Sequence, residues 1–309
     1  MDKVYIIGHT SPDTDSVVAA ISYAEFKNKI ENTNIYIPVV AGEINKATEF
    51  IFNKFNIEKP EILNTLENKN VILVDHNEAA QSLTGIESAK IIEILDHHKL
   101  DFKYSEPIYV NIKPWGSSAT IVAELFLSNN LNISKSTAGL ILSAILDDTV
   151  ITKSPTCTKT DKDMIKKLSE IAEINDWENF GMEIFKAKSG VSKMRDIEVI
   201  KSDFKDFDFM AGKFGVGQVE TVDLNEFSNR LDSLLIEMEK IKKENNYHSV
   251  LLFVTDIIKG GSKILVASRE AEKIAEAFNI KLKDNKAYIN GLMSRKKQVV
   301  PVLTEKFNN

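Results

Sequence analysis

Three apolar runs, far apart in the chain, end in carboxylates and imidazoles. Val4-Tyr5-Ile6-Ile7-Gly8 leads into His9-Thr10-Ser11-Pro12-Asp13-Thr14-Asp15, Val71-Ile72-Leu73-Val74 into Asp75-His76, and Ile91-Ile92-Glu93-Ile94-Leu95 into Asp96-His97-His98. Four of the chain's five histidines stand in these corners. Short apolar runs of this length read as buried strands. A parallel sheet gathers such strand ends at one edge, where α/β proteins collect ligands. The pattern therefore predicts a metal site, with more than one ion.

The first half alternates such strands with amphipathic helices. Strands are predicted at 4–7, 35–40, 71–74, 91–95 and 108–111, and helices at 16–29, 45–55, 119–129, 137–147, 159–174 and 177–187. This rhythm implies an α/β fold, a mostly parallel sheet flanked by helices. Lys188-Ser189-Gly190-Val191-Ser192-Lys193 has the small, polar character of a linker. Beyond it come predicted strands at 207–210, 214–222, 250–255, 263–267 and 287–290, a long helix at 225–245 and another at 270–278. The expected organisation is a metal-binding domain over 1–188, a linker at about 189–193 and a smaller α/β domain with antiparallel character over 194–309.

In the first loop, His9-x3-Asp13-x-Asp15 presents three donors, stiffened by Pro12, with Ser16 placed to cap the next helix. Imidazole with carboxylate and no thiolate favours Mn(II) or Co(II) over structural zinc. Four aspartates would balance two divalent ions, and one carboxylate can bridge them. The apolar segment ending in Asp147-Asp148 offers a further carboxylate, or only a solvated helix end. His76 reads as an orienting group rather than a ligand, and Asp96 as a hydrogen-bond partner behind the ligands. His248, Cys157, Trp115 and Trp177 read as structural. Ser294-Arg295-Lys296-Lys297-Gln298, set between two apolar runs, is either a solvated turn or a phosphate-binding cluster.

Composition sets the outer bounds. With 39 basic and 45 acidic residues and a net charge of -6, no general nucleic-acid affinity is expected. The single cysteine, Cys157, permits no intramolecular disulfide and suits a reducing cytosol. Met1-Asp2-Lys3-Val4 lacks the form of a signal peptide, and no apolar run approaches the roughly 20 residues a membrane span needs. A cytoplasmic protein with no membrane partner is expected.

Taken together, His9-x3-Asp13-x-Asp15, Asp75-His76-Asn77, Asp96-His97-His98 and Ser294-Arg295-Lys296-Lys297-Gln298 resemble the family II, manganese-dependent inorganic pyrophosphatases of the DHH phosphoesterase superfamily. The resemblance runs from His9 to about Leu303 and includes Lys153-Ser154-Pro155-Thr156-Cys157-Thr158. It implies that His9, Asp13 and Asp75 hold one Mn2+, and that Asp15, Asp75, His97 and Asp148 hold another, with Asp75 bridging. Co2+ can substitute, and Mg2+ arrives with substrate. It further implies that His98, Lys205, Arg295 and Lys296 contact phosphate, Lys205 on the looser match Asp203-Phe204-Lys205-Asp206-Phe207. The chain departs from the family in two places: Ser11 stands where Asn is usual, and Asp147 where a small residue is usual.

The implied reaction is hydrolysis of pyrophosphate to two phosphates by a hydroxide bridging two metals, at a site between two domains, in a homodimer. A phosphodiesterase on short oligonucleotides or cyclic dinucleotides is the first alternative. Gly260-Gly261-Ser262 lacks the histidine of the motif typical of those relatives. The second alternative is a non-catalytic metal- or phosphate-binding protein.

Overall fold

The computed structural model describes residues 2–308, without the side chain of Ser192. Met1 and Asn309, the outer limits of the two expected domains, lie outside the described residues. By internal contact the chain divides into Met1–Lys188 and Ser189–Asn309.

The first unit runs β1 (Val4–Ile7), α1 (Thr14–Ile30), β2 (Tyr36–Val40), α2 (Lys46–Phe55), β3 (Glu61–Ile62), β4 (Asn70–Val74), β5 (Lys90–Asp96), β6 (Tyr109–Ile112), α3 (Ser118–Ser128), α4 (Lys135–Asp148), α5 (Lys159–Ala172) and α6 (Trp177–Ser189). The six strands form one sheet in the order β3-β2-β1-β4-β5-β6, and every pairing is parallel. The chain winds outward from β1 through β2 to β3, then returns to β4 and winds the other way. The order thus reverses between β1 and β4, the place where open α/β sheets leave a crevice at their carboxyl edge. Val71, Leu73, Ile91 and Ile94 are buried in the core, together with Ile7 and Val39.

Two local features depart from the sequence reading. Helix α1 begins at Thr14, so its N-cap is Asp13, whose carboxylate accepts from the Ser16 amide at 3.0 Å. Ser16 is therefore the donor rather than the cap. Strand β5 carries an extra residue where the register shifts opposite Val71 and Ile72. Glu93, inside an otherwise apolar strand, is buried and accepts from the Tyr23 hydroxyl, with Lys27 Nζ at 3.6 Å. Burial first, and then the Glu93 charge, push the Tyr23 hydroxyl pKa upward.

The second unit contains α7 (Asp196–Lys201), β7 (Phe204–Phe209), β8 (Gly212–Thr221), α8 (Leu231–Glu244), β9 (Ser249–Asp256), β10 (Gly261–Ser268), α9 (Ala271–Ala277), β11 (Lys286–Asn290) and α10 (Val300–Phe307). Its five-stranded sheet has the order β11-β10-β9-β8-β7. Only β8 and β9 pair in parallel. Alternation along β9 serves both faces. Val250, Leu252 and Val254 pack with Leu234, Met238 and Ile241 of α8. Leu251 and Phe253 pack in the opposite core with Ile274, Leu303 and Phe307.

The linker read from sequence is more ordered than its composition suggests. Helix α6 extends through Ser189, Gly190 turns at φ +58°, and 191–193 form a short 3-10 turn. Val191 is buried in the core of the second unit. The long helix expected at 225–245 is divided: a 3-10 turn covers Leu224–Phe227, and α8 starts at Leu231. Between them Arg230 donates to the Val191 and Met194 carbonyls and pairs with Asp196, contacts that a helical repeat does not reveal.

Candidate metal centre

Each donor sits where a β-strand or helix ends. Gly8 lets β1 run close under α1; a Cβ there would meet Ser16 Cβ at 2.5 Å. His9 and Asp13 follow β1, and Asp15 lies in the first turn of α1. Asp75 follows β4 at φ +60°, a conformation Asp tolerates better than most residues. His97 follows β5, and Asp148 closes α4.

These residues converge as two overlapping groups. His9, Asp13 and Asp75 offer donor atoms all within 4.8 Å of one another, as do Asp15, Asp75, His97 and Asp148. Asp75 belongs to both: Oδ2 faces His9 Nε2 at 3.6 Å, and Oδ1 faces His97 Nε2 at 3.3 Å. His9 Nε2 is also 3.4 Å from Asp13 Oδ2, and His97 Nε2 is 3.5 Å from Asp148 Oδ2. Such separations are too long for hydrogen bonds of good geometry. They suit neighbouring ligands on a shared ion, which stand about 3 Å apart when each is about 2.1 Å from the metal.

Residues 3–145 match the N-terminal domain of the DHH family, and residues 182–306 match the DHHA2 domain. The manganese-dependent inorganic pyrophosphatase of Methanocaldococcus jannaschii is 43% identical, with 98% of this chain and 99% of that protein covered. That of Methanothrix thermoacetophila is 42% identical, with 99% of each covered. A solved Methanococcus jannaschii structure, assigned to family II of the inorganic pyrophosphatases, is 42% identical with a TM-score of 0.62, covering 99% of this chain and 100% of its own. This chain belongs to the family II inorganic pyrophosphatases.

A pyrophosphatase that relies on divalent ions needs donors prepared to receive them. His97 Nδ1 lies 3.0 Å from the Trp115 carbonyl, which can only accept, so Nδ1 carries the proton and Nε2 presents a lone pair. Nε2 is buried and has no hydrogen-bond partner among the described residues. Asp15, fully buried, is held by the N-terminus of α3: it accepts from the Ser117 hydroxyl at 2.6 Å and from the Ser118 and Ala119 amides at 2.6 and 3.0 Å. The Ser118 hydroxyl donates to Asp75 Oδ1 at 2.9 Å. Sequence spacing did not point to Ser117, Ser118 or the Trp115 carbonyl.

The electrostatics suit a positively charged ligand. Burial, then the charges of Asp15 and Asp13, push the Asp75 carboxyl far above its ordinary range. Burial, Asp15 and Asp75 do the same to Asp148. Burial works against a charge on His97, but Asp15, the Trp115 carbonyl and Asp148 outweigh it and raise its pKa. For Asp13, burial is outweighed by the nearby His9 imidazole and the hydrogen bond from the Ser16 amide, and its pKa falls.

The neighbouring polar residues have different roles. His76 spends Nδ1 on the Val74 carbonyl and Nε2 on Ser82 Oγ, and burial depresses its pKa to about 4. Asp96 Oδ1 accepts from the His97 and His98 amides and from His98 Nδ1, while Oδ2 accepts from Asn77. His98 is thus fixed through Nδ1, and its half-exposed ring leaves Nε2 available. A cavity of about 720 Å³ lined by Glu78, Lys99, Phe102 and Tyr104 contains none of the donors.

In the second unit, Lys205 on β7 and Lys296 are exposed and make no ion pair among the described residues. Arg295 and Lys296 lie in a π-helical turn, Arg295–Val299, leading into α10. Arg295 is largely buried: it donates to the Asp203 and Val216 carbonyls and pairs with Asp203 Oδ1 at 2.9 Å.

Proposed function

We propose that this chain hydrolyses inorganic pyrophosphate to two phosphates, using ions held by His9, Asp13 and Asp75 and by Asp15, Asp75, His97 and Asp148. The observation that carries this reading is the divided carboxylate of Asp75, with one oxygen toward each histidine. A buried lone pair on His97 and four clustered aspartates form a donor set that suits Mn2+ better than a thiolate-seeking ion. When bound, a pair of divalent ions supplies Lewis acidity and lowers the pKa of water toward neutrality.

The protein's own groups position and neutralise. Ser117, Ser118 and the α3 amides hold Asp15 and Asp75 in place. Asp96 holds the His98 ring through Nδ1 and leaves Nε2 exposed toward a phosphate group. Lys205, Arg295 and Lys296 contact the phosphates and offset the charge that grows on the leaving group as water attacks and the bridging P–O bond breaks. Family membership and the exposed lysines support these last assignments. The same resemblance supports Mn2+ with Co2+ as substitute, Mg2+ entering with substrate, and a cytoplasmic homodimer. Among the described residues no helix is long and apolar enough to cross a membrane.

The test is phosphate release from pyrophosphate after chelation and after return of Mn2+, Co2+ or Mg2+. Release restored by Mn2+ and abolished by Asp75→Ala supports the assignment. Cleavage of a dinucleotide without release from pyrophosphate would replace it with phosphodiesterase chemistry, and no release from either would leave a binding protein.

A further inference from the structure

Asp148 is anchored differently from its fellow ligands. Asp13, Asp15 and Asp75 each accept hydrogen bonds from groups beside them, but the Asp148 carboxylate receives none from any described residue. It is also followed by three residues with left-handed backbone, Val150, Ile151 and Thr152, at φ +48°, +51° and +65°. All three are β-branched, the side chains least suited to that region, and such residues persist only where surrounding contacts hold them.

Backbone bonds from Val150 to Asp147 and from Ile151 to Leu146 hold part of this turn, and helix α6 adds two contacts from one face. Gly181 and Lys188 are seven residues apart, about two turns, and so lie on the same side of the helix. Ile151 packs into the notch at Gly181, where an added Cβ would lie 2.8 Å from Ile151 Cγ1. Lys188 Nζ donates to Asp147 Oδ1 at 2.8 Å, and the Asp147 side chain is buried. Asp148 is therefore bracketed: its preceding neighbour is tied to one end of α6, and the turn after it rests on the middle.

We propose that α6 is a brace that positions Asp148 for its metal, with Lys188 as a positioning residue acting through Asp147. This rests on the metal reading above and adds a role for residues outside the donor set. Simple electrostatics predicts the opposite sign. Removing a nearby cation should tighten binding of a divalent ion, whereas removing a positioning contact should weaken it.

The experiment titrates Mn2+ into the chelated full-length chain and resolves the two binding steps by calorimetry. Lys188→Met is expected to weaken the step assigned to Asp15, Asp75, His97 and Asp148 by about tenfold or more, the usual scale for a lost supporting contact. The step assigned to His9, Asp13 and Asp75 should not weaken, because the Lys188 charge also reaches Asp13 and its loss acts only to tighten that step. Lys188→Arg should retain both steps, and Lys188→Met with Asp147→Ser should recover most of the loss. Unchanged or tighter binding by Lys188→Met at the step that includes Asp148, or equal weakening of both steps, overturns the brace while leaving the metal site intact. Failure of the unaltered chain to bind Mn2+ would instead sink the metal reading, and the brace with it.

Discussion

His97 Nε2 and Asp75 Oδ1 face each other at 3.3 Å, both buried, without a hydrogen bond to join them. The Trp115 carbonyl takes the only ring proton a neutral His97 carries. Two lone pairs are thereby turned toward one point, which is costly unless a cation occupies it. The arrangement sacrifices stability in the metal-free chain for readiness to bind.

Asp75→Asn should expose that trade. It removes a charge that burial, Asp15 and Asp13 all oppose. In chelator the variant should melt about 2–6 °C above the unaltered chain, corresponding to roughly 1–2 kcal/mol. In Mn2+ the order should reverse, because the variant loses the carboxylate that would serve both ions and the stabilisation that bound ions provide. Thermal melts in both conditions decide it; a variant that melts lower in chelator would contradict the stored repulsion.

Ser117→Ala should act through Asp15. The hydroxyl donates to Asp15 Oδ1 and, as N-cap of α3, accepts from the Ala119 amide at 3.1 Å. Its loss should cost about 1–2 kcal/mol in urea unfolding of the chelated chain. Mn2+ affinity should fall about tenfold at the ion that Asp15 would hold. Equal affinities would show that the α3 amides suffice to hold Asp15.

The convergence of the donors was legible because it follows from topology. Strands ending in His9, Asp75 and Asp96-His97-His98 must meet if the sheet is parallel, and the structure does bring His9, Asp75 and His97 together. The supports were not legible because they lack spacing: a backbone carbonyl at Trp115 and a pair of serines look like any loop. Helix α10 lies where the sequence shows only an apolar run; its Pro301 fits the first turn of a helix, where the missing N–H is not needed. Asp13 was read only as a donor. The start of α1 at Thr14 makes it a cap as well, a distinction of two residues that periodicity does not resolve.

His248 gives the second unit a pH-dependent stability. Its ring is buried against Phe214 and Phe307 and pairs with Glu270 at 3.0 Å, with Arg269 and Lys273 nearby. Burial lowers its pKa below the ordinary 6.5, against the pull of Glu270, with Arg269 and Lys273 adding to the fall. Between 6.5 and the lower folded value, the unfolded chain binds the proton more readily, so stability falls as pH drops through that window and is flat above it. Urea midpoints at pH 7.5, 6.5 and 5.5 for the unaltered chain and His248→Gln isolate the effect. The variant should lose less across this range, and parallel curves would refute the assignment.

Arg295 and Lys296 are adjacent, yet only the removal of Arg295 should cost stability. Arg295 is anchored within its own unit, donating to two carbonyls and pairing with Asp203. Arg295→Ala would leave the buried Val216 carbonyl without that donor, and should cost about 2 kcal/mol or more in unfolding of the chelated chain. Lys296 is exposed, and its ammonium makes no ion pair among the described residues. Lys296→Ala should leave the urea midpoint and Mn2+ content unchanged while lowering kcat by about tenfold or more, the scale for removing one positioned charge from a phosphoryl-transfer site. If Lys296→Ala is kinetically silent while Arg295→Ala impairs turnover beyond what its unfolding explains, the phosphate contact belongs to the arginine alone, and the buried pairing with Asp203 must open when substrate binds.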